Sequence, residues 1–401
     1  MPQQSIPLRS ATRKGAIASK ILLLLAVGVG MGLAHMSTTT MPLQIGALMD
    51  GSHRTAAQAG YFGFAQVGAL ALSMVVLAAW VDRVSPWQIA VPGCALVLLA
   101  NLGLFKVSSF AGQLVLGSAS GCGYGAVFSA TIAAAAATAE PDRVYAVGNA
   151  GALLVIVSVM SAVPAVDRSQ GPLGIFLAIA TVTLFTMFLL RSLTRGARAE
   201  QIRLSAWRTP GAPGLLFAWW TFSAGTGGLY AFSERIAVHL ALSPNTAASV
   251  LSAGVFVGLI GNAATALLGR RANRSLVLIV GMAGSALSCL LIGYAWDLVA
   301  YAAGVFAYWI FVMFTYSYLL GTAALLDPSG RVGTLSGAAD RLGYASGTAI
   351  AGLLAEHLSY SSAGAFGFGA CILAALVGFP TLFRALRPPC RSSDRGPAAS
   401  A

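Results

Sequence analysis

The stretch Glu140-Pro141-Asp142-Arg143-Val144 has an echo 188 positions further on, where Arg331-Val332 falls on Arg143-Val144 just after a second acidic-proline pair, Asp327-Pro328. The same offset sets Lys20 on Arg208 and Asp82-Arg83 on Arg270-Arg271, with Gly93 then falling on Gly281. One coincidence would carry little. Three charged stretches agreeing at a single offset indicate two structurally equivalent halves.

Between these charged stretches the chain is apolar. Of its 401 residues 57% are hydrophobic and 9% charged, with a mean hydropathy of +0.79. Soluble domains carry about a quarter charged residues, so a soluble enzyme or a secreted disulfide scaffold is excluded. A bilayer core needs about 20 apolar residues per helix. Twelve runs qualify, at 17–41, 55–80, 86–106, 109–139, 143–166, 172–191, 212–233, 244–268, 274–294, 297–326, 332–356 and 361–384. The basic residues before Ile21 mimic a signal peptide, but the apolar run is long and eleven more spans follow, so it is read as an uncleaved first helix.

Orientation follows from the basic residues. Nineteen of the 24 Lys and Arg lie at the termini and in the even-to-odd loops, against four in the opposite loops, which places both termini in the cytoplasm. The net charge of +12 is scattered in these loops, so it indicates topology and not nucleic-acid binding. The expected organisation is an all-α membrane protein of two pseudo-symmetric six-helix bundles, 1–191 and 212–384. A cytoplasmic linker at 192–211 joins them and a tail at 385–401 follows.

This pattern resembles the major facilitator superfamily in length, span count, loop charge and half-repeat. The family's loop between spans two and three reads G-x-L-a-D-R-x-G-R-R. Here it reads Ala78-Ala79-Trp80-Val81-Asp82-Arg83-Val84-Ser85-Pro86-Trp87, keeping the Asp-Arg core alone. The resemblance implies that Asp82 and Arg83 form a cytoplasmic gating loop. An intramembrane arginine common in span four of proton-coupled members is replaced by Gly117. The span-five motif of drug/proton antiporters is also missing, where Gly148-Asn149-Ala150-Gly151 leads into aliphatic residues. Both departures count against a drug antiporter.

Polar residues inside the spans are costly and mark candidate sites. Asp340 lies roughly 14 Å along its helix from Arg331, near mid-bilayer, with Arg341 beside it. Neighbours on a helix point about 100° apart, so each needs a partner on another helix or a solute. Neither has a counterpart in the first half, where the equivalent positions are Ala152 and Leu153. Arg341 is expected to attract an anionic group while Asp340 balances its charge. His35, some 22 Å beyond Lys20, is a candidate proton carrier. Gln66, Asn149 and Asn262 are buried-amide candidates. Aromatic residues crowd spans seven and ten, and Trp220, Tyr308 and Tyr316 are candidate cavity walls, suited to a small organic solute. Glu234, Arg235 and Glu356 are expected at the periplasmic rim.

The glycine series Gly117, Gly121 and Gly125, with Gly343 and Gly347, reads as close helix packing. The cysteines show no metal-ligand spacing and the four histidines are scattered, so neither catalytic residues, metal nor cofactor is expected. The leading reading is a secondary transporter of a small organic solute, with protons as a candidate coupling ion, acting as a monomer in the plasma (bacterial inner) membrane. The alternatives are an efflux pump of the same fold and, more remotely, a non-transporting membrane sensor.

Overall fold

A computed structural model describes residues 9–78, 80, 83–138, 140–193, 208–268, 273–327 and 331–386. Among these residues the chain is almost entirely helical. The first half comprises α1 (Arg9–Thr39), α2 (Met41–Ser52), α3 (Ala56–Leu77), α4 (Pro86–Lys106), α5 (Phe110–Ala136), α6 (Pro141–Gln170) and α7 (Gly174–Leu189). The second comprises α8 (Ala212–Ala231), α9 (Ser233–His239), α10 (Pro244–Leu268), α11 (Arg274–Gly293), α12 (Leu298–Leu326), α13 (Arg331–His357) and α14 (Tyr360–Leu386). Most of the 192–211 linker, the 385–401 tail beyond Leu386 and Asp82 lie outside the described residues.

Local chemistry sets the helix starts. Thr55 accepts the Gln58 N–H and closes a capping box, Ser109 accepts from Gly112, and Asp297 accepts from Ala300. The first and seventh spans run longer than the sequence indicated. Each is interrupted and then continues, α1 into α2 at Thr40 ahead of Pro42, and α8 into α9 at Phe232. At Thr40 the break is local, because the proline at the second position of α2 has no N–H to give to the ladder. Both halves therefore carry a bent leading helix.

Ten helices are long and apolar enough to cross a membrane, making this an integral multi-pass membrane protein. Of the long helices, α8 and α13 fall outside that set. These two helices pack against each other. The repeat appears in the packing: α1 with α6 matches α8 with α13, α3 with α5 matches α10 with α12, and α4 with α7 matches α11 with α14. The halves meet where α3 packs on α13 and α6 on α10.

Glycines permit these approaches. Gly117 lies under the Phe62 ring, Gly121 under the Gln66 carbonyl, and Gly125 beside Ser73, so the series is the seam of α5 on α3. Gly343 and Gly347 play the same part against the Trp220 and Ala224 carbonyls of α8. Any side chain there would strike backbone, which cannot move aside.

Candidate functional site

A cavity of about 660 Å³ lies between the halves, walled by α1, α5 and α6 on one side and α8, α10, α12 and α13 on the other. Its walls reach Tyr145, near the start of α6, and Leu320, near the end of α12. Asn149, Ala150, Asn262 and Leu320 on those walls are exposed, so the cavity opens toward the end of the bundle where α1 and α13 begin. The opposite end is shut.

The floor of the cavity is polar and joins the halves. Arg341 on α13 donates through Nη1 to Thr38 Oγ1 at 3.1 Å and through Nη2 to His35 Nδ1 at 3.2 Å, both on α1. Its guanidinium also sits 5.8 Å from the centre of the Phe128 ring, within cation–π range. Asp340 accepts from Ser223 on α8, and its other oxygen lies 3.7 Å from Arg341 Nε. Tyr344 donates to the Thr38 carbonyl at 2.9 Å and Tyr230 to the Thr39 carbonyl at 3.0 Å. Both terminal nitrogens of Arg341 thus hold the first half, instead of standing open to an anion.

One wall is aromatic. Tyr230 and Tyr308 stack with centroids 5.4 Å apart and planes 10° apart, and Trp309 meets both rings edge-on. Tyr316 lies edge-to-face on the buried Trp219 at 5.1 Å. Two amides, Asn149 and Asn262, line the sides, and Asn262 accepts from Ser317 at 3.1 Å. Asp340 and Arg341 supply the formal charges of the lining, and these cancel.

Of the residues singled out from sequence, His35, Asn149, Asn262, Tyr308, Tyr316, Asp340 and Arg341 all meet at this cavity. Gln66 and Trp220 do not line it. Gln66 is buried within the first half, donating to Gln44 Oε1 at 3.1 Å and Ser120 Oγ at 3.0 Å. Trp220 turns toward Phe217, because one helical step separates it from Trp219, the tryptophan that points inward. Arg83 stacks near the Trp80 ring, at 5.9 Å. His35 and Asp340 line the same cavity despite their unequal distances from Lys20 and Arg331.

The closed end corrects the expectation of rim charges for Glu234 and Arg235, while Glu356 is exposed there. Glu234 and Arg235 are buried, at 7% and 6% exposure. Arg235 bridges to Asp50 on α2 through two hydrogen bonds of 2.7 and 2.8 Å while also holding Glu234 at 2.6 Å. Glu356 accepts the Ala57 N–H across the halves at 2.7 Å, and Arg168 reaches Asn245 at 3.4 Å. Sequence reasoning passed over Asp50, Ser223, Phe128 and Tyr344. A serine among small residues and an aspartate beside a loop carry no periodic signal, and only the tertiary approach gives them partners.

Solved structures share this fold. A point mutant of the nucleoside transporter NupG aligns with a TM-score of 0.72 at 12% identity, over 90% of this chain and 99% of that one. A bacterial homologue of the human lysosomal transporter Spinster, in an inward-facing and unoccupied conformation, aligns with a TM-score of 0.68 at 13% identity, over 92% and 99%. The fold is that of the major facilitator transporters. No protein-family model matches the sequence. No curated protein matches it either. The cavity lies at the interface between the two halves of this fold.

Proposed function

We propose that the chain is a secondary transporter that carries a small organic solute through the central cavity by alternating access, and that it is not an enzyme. The observation that carries this reading is the cavity's asymmetry: a site-sized volume between two equivalent halves, open at one end and shut at the other by an ion pair joining them. A volume of about 660 Å³ suits one small molecule, since ligand pockets run at ~300–1,000 Å³.

The lining favours a solute of no net charge that carries a ring. Asp340 and Arg341 already compensate each other, and a net-charged guest would add a charge with no partner left in the lining. Tyr230, Tyr308 and Trp309 offer ring faces and edges, with each aromatic contact worth about 0.5–1.5 kcal/mol. Asn149, Asn262 and Asp340 supply donors and acceptors for a heteroatom edge. A nucleoside, the solute class in NupG's name, meets this description and is the first to test.

The test is uptake of labelled uridine, adenosine, a hexose and an organic cation into proteoliposomes, each with and without a preloaded unlabelled solute. Saturable counterflow of a neutral ring solute supports the reading. Counterflow of the organic cation alone would favour the efflux alternative, and the absence of movement for every solute would count against transport. Protons are the proposed coupling ion, and a monomer with both termini in the cytoplasm is the proposed functional form.

A further inference from the structure

The contact between Arg341 and His35 constrains the protonation of the imidazole. Arginine remains charged and has donors only. The nitrogen it reaches, Nδ1, must therefore present its lone pair, and the ring hydrogen sits on Nε2. His35 is neutral while this contact holds. A proton arriving at Nδ1 would turn the acceptor into a donor and set an imidazolium against a guanidinium, so the contact would break.

We infer that His35 is a proton-binding site whose occupancy and the Arg341 bridge between the halves exclude one another. The inference rests on the transporter reading above and supplies its coupling site. Three features of the surroundings fit it. His35 is half-buried on the wall of the open cavity, so water can deliver or remove the proton there. Arg341 has an alternative partner in Asp340, 3.7 Å from its Nε, and need not be left uncompensated when it lets go. Phe128 meets the imidazole edge-on at 5.2 Å, which holds the ring in place without competing for a nitrogen.

The titratable groups lining the cavity around His35 are few. From α13 they are Asp340, Arg341 and Tyr344; from α12, Tyr308 and Tyr316; from α8, Tyr230; and from α6, Tyr145. The adjoining α5 contributes the Phe128 ring and Ile132, and α10 contributes Asn262. Tyrosines stay neutral through the physiological range. Whether His35 takes a proton is therefore set by the burial of its ring and, among the charges of the lining, by that of Arg341. In the conformation open at the α1 and α13 starts, the bridge is made and the proton has been given up to that side. When the halves part at the floor, Nδ1 is freed to bind one.

The experiment uses the full chain and protons as the only ligand. Histidine labelled with 13C and 15N is titrated by NMR, with the His35 signal identified by its loss in His35→Gln. The proton affinity of His35 should be at least tenfold higher in Arg341→Gln than in wild type, and a folded Arg341→Lys variant should show an intermediate shift if Gln proves unstable. Distances between spin labels at Gln170 and Leu358, at the closed end on opposite halves, are followed over the same pH range in a background lacking the five native cysteines. Their distribution should change with pH in wild type and stay fixed in His35→Gln, whose side-chain oxygen can still accept from Arg341. An Arg341-independent His35 titration overturns the inference, as does a His35→Gln protein that keeps the wild-type pH response. If the titration is linked to Arg341 while the label distances never change, the proton site stands and the transporter reading falls.

Discussion

Arg235 and Asp50 join the two halves at the closed end of the cavity through a two-pronged ion pair, with N···O separations of 2.7 and 2.8 Å. The two partners are unequally placed. The Arg235 side chain is 7% exposed and is held also by its neighbour Glu234, whereas the Asp50 side chain is 53% exposed. The pair can therefore open by withdrawal of Asp50 into water, while Arg235 and Glu234 keep each other compensated within the second half.

That inequality predicts different outcomes for the two residues. Asp50→Asn should cost at most ~1 kcal/mol of stability, as for an exposed partner, yet should loosen the closed end. Arg235→Ala leaves Glu234 buried without a counter-charge and should cost about 3–5 kcal/mol. Thermal unfolding of the purified variants reads both. Equal losses would show that Asp50 is as structurally committed as Arg235.

The α8–α13 seam predicts a contrast between glycines. Gly347→Ala places a methyl group against the Ala224 backbone carbonyl, whereas a methyl group at Gly369 would meet open space. Gly347→Ala should destabilise by about 1–3 kcal/mol or more, the range for overpacking a filled site. Gly369→Ala should be neutral. Matching melting temperatures for the two would mean that this seam is not close-packed.

Much of this architecture is legible in the sequence, because bilayer length and loop charge act on each helix separately. The 188-residue offset reaches further, and the helix pairs it equates do pack alike. Helix rotation is what the sequence does not carry. Trp219 and Trp220 are equivalent in composition but point different ways, and Gln66 finds partners within its own half that no spacing rule names. Asp340 and Arg341 stand out by their cost in the membrane, whereas the residues that compensate them, Ser223, Thr38 and His35, come from helices more than a hundred residues away in the chain.

Topology offers an independent check. Reporters fused after residues 200 and 395 should both read cytoplasmic, and one after residue 168 periplasmic, following the nineteen-to-four division of basic loop residues. A periplasmic signal at residue 200 would reverse the orientation and with it the side to which the cavity opens.

The central claim is that the halves rock about the cavity, so that one end opens as the other shuts. Pulsed electron–electron resonance on two label pairs, Gln170 with Leu358 at the closed end and Val147 with Leu325 at the open end, measures it directly. In wild type the closed-end pair should be short and the open-end pair long. In Asp50→Asn a second population should appear in which the closed-end distance lengthens and the open-end distance shortens together. Distances that stay unchanged at both ends, or lengthen at one end with no shortening at the other, would contradict alternating access.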